Sequence, residues 1–400
     1  MIKKMDKVVT NRYTALDVLR GMTIAGMILV NNPGTWGKIF PPLKHAAWHG
    51  CTPTDLVFPF FLFIVGAALS FAFAKYNDTL NKESVKKVIK RSFLIFLTGL
   101  LLNAFPFYNT SPSPELSFGE NWLVYIQNLR IFGVLQRIAL CYMVGALVAL
   151  WLQKPKKIIV AGSVLMLLHL LILVIFGTGD PFSKEGTIAG SIDVALVGIT
   201  HVYKGFGMPF DPEGLLGVLS GSATVLFGYL VGGHIRKSAN KTEAVSDLYT
   251  IGLIALGVGV VLSTVILINK PLWTPSYVFY AGGWSVLMLA LFIYFIDIKG
   301  KEKIFYPFKA LGLNPLFAFV MAGVFAKTLG RIIKWQTSVL QDDGTFKEIT
   351  TNASSWIYQN CCVPLLGNNE WGSLLYALGY VTIFTTMAII LYKKKIVIKL

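Results

Sequence analysis

The sequence predicts an all-α, polytopic membrane protein that crosses the bilayer about ten times. The first observation behind this prediction is composition: 54% of the 400 residues are hydrophobic and only 14% are charged, and the mean hydropathy is +0.63. The second is a series of apolar runs of spanning length, bounded by charges or by Pro, Gly and Asn clusters. The third is the placement of Lys and Arg in short clusters between these runs. A soluble, basic nucleic-acid-binding protein would instead gather them on one face.

The apolar runs form one transmembrane domain that we assign to residues 1–400. The first run contains Asp17 and Arg20 and lacks a small-residue cleavage site, so we interpret it as a spanning helix rather than a signal peptide. The runs lie near 15–32, 54–74, 88–106, 131–152, 157–177, 214–234, 248–268, 277–297, 307–329 and 373–392.

The distribution of positive charge predicts the orientation of these helices. Alternate connections that include both chain ends hold 24 Lys and Arg, whereas the other, longer connections hold 10. Because cytoplasmic loops of membrane proteins are enriched in Lys and Arg, we expect both termini in the cytoplasm and the chain in the inner membrane. The long connections 107–130, 178–213 and 327–372 then lie outside, where long loops commonly form a binding site or a lid.

Polar residues within or next to the spans are candidate functional residues, since an ionisable group there is costly. Asp17 and Arg20 are three residues apart on one helix face, so we expect them to pair, with a direct binding role as the alternative. Asn31 ends the first span. His45 lies among a second histidine, Trp48 and Asp55 at one membrane boundary. Histidine exchanges protons near neutral pH, and a neighbouring carboxylate would orient it, although Asp55 also suits a helix cap.

Later runs carry further polar candidates at their starts or breaks. Arg130 and Arg137 lie at a helix start, where positive charge opposes the helix dipole, so we expect them to face an anion or a carboxylate. Asp211 and Glu213 lie at an outer helix start, where carboxylates are favoured and are natural partners of an amine. The full set is Arg130, Gln136, Arg137, Asp211, Glu213 and Asn314, the last in an Asn-Pro pair that breaks the ninth run.

The cysteines and histidines favour neither a disulfide framework nor a metal site. Cys141 lies in an apolar run, which is typical of a packed hydrophobe. The other three cysteines lie in the outer loops, which allows one bridge from Cys51 to Cys361 or Cys362 in an oxidising compartment. His45 and the histidine four residues later lack the glutamate of a zinc-binding helix, so we expect no metal.

Several motifs of this chain resemble those of the heparan-alpha-glucosaminide N-acetyltransferase family. The likeness covers nearly the whole chain in the same order. The motifs are LDVLRG at 16–21, VNN at 30–32, KHAAWHG at 44–50, DLVFPFF at 55–61, GVLQR at 133–137, DPEGLLG at 211–217 and NKPLWTPS at 269–276.

The resemblance implies a transmembrane acetyltransferase in which acetyl-CoA supplies the acetyl group and a glucosamine-type amine accepts it across the membrane. It implies that His45 is catalytic, and it maps family positions onto Asn31 and Asp55. It also suggests a homodimer. We expect Asp55 to orient His45 and Asn31 to hold the thioester carbonyl. Arg130 and Arg137 are then candidate contacts for a phosphate or a carboxylate, and Trp48 can stack on a sugar or belong to the interfacial aromatic belt.

Two other functions remain open from the sequence. An amino-sugar transporter would use the same polar cluster as a proton relay, but it predicts polar residues near the middle of the spans, whereas most of these lie at the outer ends. A purely structural scaffold leaves the histidine cluster and the long outer loops unexplained. The acceptor sugar and the choice between an acetyl-histidine relay and direct transfer are not determined by the sequence.

Overall fold

A computed structural model of the chain describes residues 2–4, 13–76, 78–340 and 346–398, and within them the fold is a bundle of long helices. The long helices are α1 (Thr14–Asn31), α2 (Pro53–Phe73), α3 (Lys82–Ala104), α5 (Val134–Leu152), α6 (Pro155–Phe176), α8 (Gly217–Lys237), α9 (Lys241–Leu262), α10 (Pro275–Phe292), α12 (Pro315–Lys327) and α15 (Glu370–Lys393). The shorter helices are α4 (Phe118–Gln127), α7 (Ile188–Val197), α11 (Tyr306–Leu313), α13 (Ala353–Ile357) and α14 (Val363–Leu366), and the strands are β1 (Ile2–Lys4), β2 (Lys334–Leu340), β3 (Phe346–Asn352) and β4 (Ile396–Ile398).

Nine helices among these described residues are long and apolar enough to cross a membrane, which confirms the predicted class of all-α polytopic membrane protein. The predicted span near 88–106 forms α3, a helix of 23 residues. This helix is not one of the nine, and its amino-terminal half carries five positive charges: Lys82, Lys86, Lys87, Lys90 and Arg91. Its length fits a crossing, but its apolar part is short.

The predicted break at Asn314 is present. The run near 307–329 forms two helices, α11 and α12, because Pro315 cannot continue the hydrogen-bonding pattern of α11. The Asn314 side chain uses both its donor and its acceptor: Nδ2 donates to the Ile396 carbonyl at 3.1 Å, and Oδ1 accepts from the Ile398 amide at 2.7 Å. Asn314, at the break, thus joins β4 to the helix bundle through these two hydrogen bonds.

The two chain ends meet in a short sheet. Strand β1 pairs antiparallel with β4, with Ile2 opposite Ile398. Two ends that pair directly lie on the same side of a membrane, which requires an even number of crossings. This parity agrees with the ten crossings expected from the sequence, with α3 as the tenth; the assignment of that side to the cytoplasm stays a prediction.

Helix α2 is central and packs closely along α8. The two backbones approach so closely that a Cβ on Gly66 would lie 1.9 Å from the Val225 carbonyl oxygen, and one on Gly228 would lie 1.9 Å from that of Phe63. Small residues permit such close contact between membrane helices. α2 also contacts α1, α5 and α10, so its amino-terminal turn is held from several directions.

Hydrogen-bonded polar side chains of α10 and of the segment after it mark both ends of this bundle. The Tyr277 hydroxyl, near the start of α10, donates to the Asp55 carbonyl at 2.6 Å. Asp297, in the π-helical segment Ile293–Ile298 that continues α10, accepts hydrogen bonds from the amides of Thr14 and Ala15, which begin α1. Twenty helical residues separate Tyr277 from Asp297, or about 30 Å, which is close to the thickness of a bilayer core.

The four cysteines are free thiols, so the disulfide that the sequence allowed between the outer loops is absent. Cys141 is buried in α5, as expected of a packed hydrophobe. Cys362 is also buried, whereas Cys361 is exposed and Cys51 is half-buried.

Candidate active site

His45 and Asp55 form a hydrogen-bonded pair at the start of α2. The His45 Nδ1 lies 2.6 Å from the Asp55 Oδ1. The second carboxylate oxygen, Oδ2, accepts from the backbone amides of Ala46 and Thr52, each at 3.0 Å. The Asp55 side chain is only 2% exposed, whereas that of His45 is 48% exposed. The carboxylate is therefore a fixed support, and the imidazole is the group that reaches the surface.

This arrangement follows from how α2 begins. Pro53 lies in the first turn, where its missing N–H costs nothing, and Asp55 lies at the positive end of the helix dipole. The Asp55 carboxylate accepts from the Thr52 amide, as a capping residue would. Asp55 therefore caps the helix and also contacts His45, so the two interpretations of this residue are compatible.

Lys270 completes the cluster from a loop that is distant in sequence. Its Nζ lies 3.3 Å from the Asp55 Oδ1 and 3.1 Å from the His45 Nδ1. The neighbouring Asn269 is buried, and its Nδ2 donates to the His49 Nδ1 at 3.4 Å. The two loops also join through the backbone, since the Gly50 amide donates to the Ile268 carbonyl at 2.7 Å.

The other reactive side chains near His45 are less suited to chemistry at neutral pH. Burial raises the pKa of the Cys51 thiol to about 12, and the Asp55 charge adds to this effect. A thiol in that state is a poor nucleophile because the thiolate is the reactive form. Burial lowers the pKa of His49, with Asp180 opposing the shift, and its ring contacts Asn269. His45 is the exposed member of the group.

Trp48 is enclosed by the protein. Its indole is 7% exposed, its Nε1 donates to the Phe182 carbonyl at 2.8 Å, and its ring packs edge-on against Phe206 and Phe210. These contacts anchor the loop that carries His45 to the 178–213 connection. The indole of Trp48 therefore stabilises this loop, and little of its surface is open to a sugar.

Arg137 and Gln136 are buried at the start of α5. The Arg137 Nη2 donates to the Gly214 carbonyl at 2.7 Å, and its guanidinium lies 5.5 Å from the centroid of the Trp273 ring. Its Nε and Nη1 have no hydrogen-bond partner among the described residues. Gln136 donates to the Ile131 carbonyl at 2.9 Å and so holds its own helix start. Of the two, Arg137 keeps donors that another molecule can use.

Arg130 faces carboxylates, as the sequence predicts. Its Nε donates to Asp211 at 2.9 Å, its Nη2 donates to the other oxygen of Asp211 at 2.6 Å, and Nη2 also contacts Glu213. Burial disfavours the charged guanidinium, but the hydrogen bonds with Asp211 and the charge of Glu213 outweigh it and raise the pKa of Arg130 above its usual range. The Asp211 side chain is fully buried. These carboxylates are thus already occupied by an internal cation.

Asp193 is a buried carboxylate that sequence reasoning did not select. It lies in α7 and accepts from the Leu215 amide at 2.8 Å. Burial raises its pKa to about 7, and the nearby charge of Asp211 adds to the shift. The residue lies in a short apolar helix of a long loop, where no pattern separates it from a surface aspartate; only the fold reveals its burial.

Three of the remaining candidates lie at the opposite end of the bundle from His45, and the fourth is Asn31. Asp17 and Arg20 form the expected pair at 3.0 Å, and Arg20 also donates to the Gly312 carbonyl at 3.2 Å, at the contact of α1 with α11. Together with Asn314, they belong to the end of the bundle where the chain termini pair. Asn31, the last residue of α1, is exposed, and no hydrogen bond between described residues joins it to His45 or Asp55.

Lys270 and Asn269 are the site residues that sequence reasoning missed. Both lie in the NKPLWTPS motif, but the motif gives no distance to His45. The available signal was Lys270 itself, a lysine in a short outer connection that otherwise lacks charge. No group of three or more His, Cys, Asp or Glu side chains suited to a metal occurs within the described ranges.

Comparison with known proteins gives a consistent result. Residues 12–187 match the family model described as heparan-alpha-glucosaminide N-acetyltransferase, catalytic. The chain is 28% identical to the human heparan-alpha-glucosaminide N-acetyltransferase over 401 residues, covering 85% of this chain and 56% of the relative. It is 27% identical to the mouse protein of the same name over 371 residues, covering 78% of this chain and 53% of the relative. The chain thus spans about half the length of these curated relatives, and the matched region contains both His45 and Asp55.

Proposed function

We propose that this chain, which resembles the heparan-alpha-glucosaminide N-acetyltransferases over most of its length, is a member of that family and a transmembrane acetyltransferase that uses His45. Its donor is acetyl-CoA, and its acceptor is the amine of a glucosamine-type sugar on the extracytoplasmic side. One observation carries the proposal: an exposed imidazole is fixed by a buried carboxylate, and both residues lie in the region that matches the catalytic family model.

The geometry suits His45 for two related roles. With Nδ1–H donated to Asp55, the lone pair of Nε2 faces outward, and the ring can take a proton from the sugar amine as it attacks the thioester. Alternatively, Nε2 attacks the acetyl carbon itself and CoA leaves as the thiolate. In a second step the amine takes the acetyl group from the imidazole and releases a proton. Asp55 supports both routes because it orients the ring and stabilises the positive charge that develops on it.

The donor molecule needs partners for its oxygen atoms. The buried guanidinium of Arg137 fits this need, since its Nε and Nη1 have no partner among the described residues and a buried unpaired donor is costly. The Asn31 amide is the proposed contact for the thioester carbonyl. Acetyl-CoA is a substrate of this reaction rather than a resident cofactor, and no metal is part of the proposed reaction.

The charge pattern supports an extracytoplasmic position for His45. The connections that share its side carry 10 Lys and Arg, against 24 in those on the side of the chain ends. We therefore propose an inner-membrane enzyme that takes a cytoplasmic donor and an outer acceptor. Apolar side chains on the outer surface of α6, such as Val164, Leu171 and Ile175, are exposed and suit contact with lipid. The family resemblance suggests a homodimer, which the mass of the purified protein in detergent would test.

An amino-sugar transporter is the second candidate, because two guanidinium nitrogens of the buried Arg137 have no partner among the described residues and His169 is a fully buried imidazole inside the helix bundle. Such groups are typical of substrate pathways as well as of enzymes.

The test is a transfer assay with purified protein in detergent, using radiolabelled acetyl-CoA and a panel of glucosamine-type sugars. We expect label on the sugar amine with the wild type and none with His45→Ala. If no amino sugar is labelled while proteoliposomes accumulate one, the protein is a transporter and the proposal is wrong.

A further inference from the structure

Lys270 is held in place by an unusually well-supported loop between α9 and α10. The buried Asn269 side chain accepts from the Leu272 amide at 2.8 Å, and the Asn269 backbone amide donates to the Thr274 hydroxyl at 3.0 Å. Trp273, which is buried in the same loop, has a positive φ of 60°. Non-glycine residues adopt this backbone conformation only where the surroundings enforce it. The loop therefore presents Lys270 at a defined position instead of leaving it as a free surface lysine.

The donors and acceptors around Lys270 leave one consistent arrangement. The His45 Nδ1 is 2.6 Å from the Asp55 Oδ1, so Nδ1 carries the hydrogen that joins them. The Lys270 ammonium has donors only and therefore bonds to the carboxylate, 3.3 Å away. The Lys270 Nζ lies 3.1 Å from the His45 Nδ1, but Nδ1 already donates its hydrogen to Asp55 and cannot accept another. Lys270 attracts Asp55 and repels a positively charged His45.

These two effects have opposite consequences for the imidazole. A buried carboxylate alone stabilises the protonated ring, which has no lone pair left for catalysis. A cation next to both groups offsets that stabilisation while it leaves the hydrogen bond in place. Because the Lys270 side chain is only 18% exposed and that of Asp55 2%, water screens the attraction between these two groups weakly. The charged and titratable groups around this corner are Asp55 from α2, Lys270 from the α9–α10 loop, Tyr277 from α10, Lys44, His49 and Cys51 from the His45 loop, and Asp180, which acts on His49.

We propose that Lys270 is a positioning residue that keeps the Nε2 lone pair of His45 available at neutral pH by opposing protonation of the ring. This inference deepens the proposed function and rests on it, since the lone pair is the group that the acetyl transfer uses. Lys270 needs no contact with the substrate for this role.

A chemical measurement tests the inference without any assay of activity. The exposed His45 ring is carbethoxylated by diethyl pyrocarbonate only when Nε2 is unprotonated, and mass spectrometry follows the peptide that contains it. For Lys270→Met we expect the pH midpoint of this modification to rise by about one unit. Lys270→Arg, which keeps the charge, is expected to stay near the wild type. His201 in the same molecule is the internal reference, and Lys204→Met is the matched control for loss of an outer-loop lysine.

The pH profile of acetyl transfer is the second measurement. For Lys270→Met the acidic limb is expected to move upward by about one unit, which is an about tenfold loss of rate on that limb with recovery at higher pH. An unchanged modification midpoint, or an equal loss of rate at every pH, would show that Lys270 is only structural and would overturn the inference. A wild type that transfers no acetyl group while its midpoint still shifts in Lys270→Met would reject the proposed function instead.

Discussion

Two histidine–aspartate pairs of the described structure lie at opposite ends of the bundle, and they differ in their surroundings. In the His45–Asp55 pair the aspartate side chain is 2% exposed, and it is held by two backbone amides and by Lys270. In the His234–Asp247 pair the two side chains are 39% and 48% exposed, and the distance is 2.9 Å. The same two residue types thus form a rigid, charge-balanced unit at one end and an ordinary surface contact at the other.

Since the two pairs consist of the same residue types, residue identity alone does not define a catalytic pair. A solvent-exposed pair contributes little, because water competes for both partners. An aspartate whose remaining lone pairs are all engaged can fix the tautomer and direction of its histidine. Enclosure of the carboxylate is what separates His45 from His234, and the following predictions test that distinction.

Removal of the carboxylate charge should have the largest effect. Asp55→Asn keeps the size of the side chain but loses its charge. Because its single oxygen is needed by the Ala46 and Thr52 amides, its NH2 group then faces His45 and cannot accept the hydrogen that fixes the ring tautomer. We expect acetyl transfer to fall by about a thousandfold, within the usual range for general acid–base catalysis. Asp247→Asn is the matched control and should retain the wild-type rate. Transfer from radiolabelled acetyl-CoA measures both; equal losses in the two variants would remove the distinction between the pairs.

Ion pairs at the two ends should differ in their contribution to stability. Arg130→Met leaves Asp211 buried without its cation, so we expect a loss of about 3 kcal/mol in the free energy of unfolding. Arg236→Met removes a partner of Asp78, where the side chains are 21% and 28% exposed, and should cost about 1 kcal/mol. Thermal unfolding in detergent compares the two variants. A smaller loss for Arg130→Met than for Arg236→Met would contradict the assignment of a buried pair.

Asp193 should make the free energy of unfolding depend on pH. Burial raises its pKa to about 7 in the folded protein, above the value of 3.8 for an unperturbed aspartate. Between these values the folded state binds more protons than the unfolded state, so stability falls as pH rises and levels off above pH 7. From pH 5.5 to pH 7.5 we expect the wild type to lose about 2 kcal/mol through this group.

Asp193→Asn cannot ionise at this position and should lose that part of the slope. Unfolding temperatures at closely spaced pH values measure it. If the slope is the same in both proteins, Asp193 is ionised in the folded state and its assignment is wrong.

The smallest effect is expected at Trp48. Trp48→Phe keeps most of the buried ring but leaves the Phe182 carbonyl without its donor, which should cost about 1 kcal/mol of stability. Trp151→Phe, at a position that is 69% exposed, should cost less. Thermal unfolding detects the difference. A strong loss of sugar binding in Trp48→Phe without a loss of stability would instead favour the stacking role that the sequence left open.

Prediction from sequence succeeded where the signal is local. Hydropathy located the spanning helices because each one carries its own apolar run, and Pro315 marked the break between α11 and α12. The His45–Asp55 contact was also foreseeable, since only ten residues separate the partners and a helix start fixes one of them. Arg130 was expected to face a carboxylate, and it does.

Prediction was limited where distant segments meet. Lys270 lies 225 residues after His45, and no property of either loop indicates their contact. Hydropathy also does not distinguish a buried tryptophan from one in an interfacial belt, so the enclosure of Trp48 followed only from the fold. The sequence therefore indicated His45 as the candidate reactive residue, whereas the packing of α2, α10 and their loops supplies its environment.

The most direct test of the central claim compares glutamine substitutions in the two histidines, His45→Gln and His234→Gln, in one acetyl-transfer assay at equal protein concentration. If the enclosed pair carries the reaction, His45→Gln loses transfer to background while His234→Gln keeps the wild-type rate, with similar unfolding temperatures for both. Full transfer by His45→Gln, or an equal loss in the two variants, would contradict the assignment of His45 as the catalytic residue.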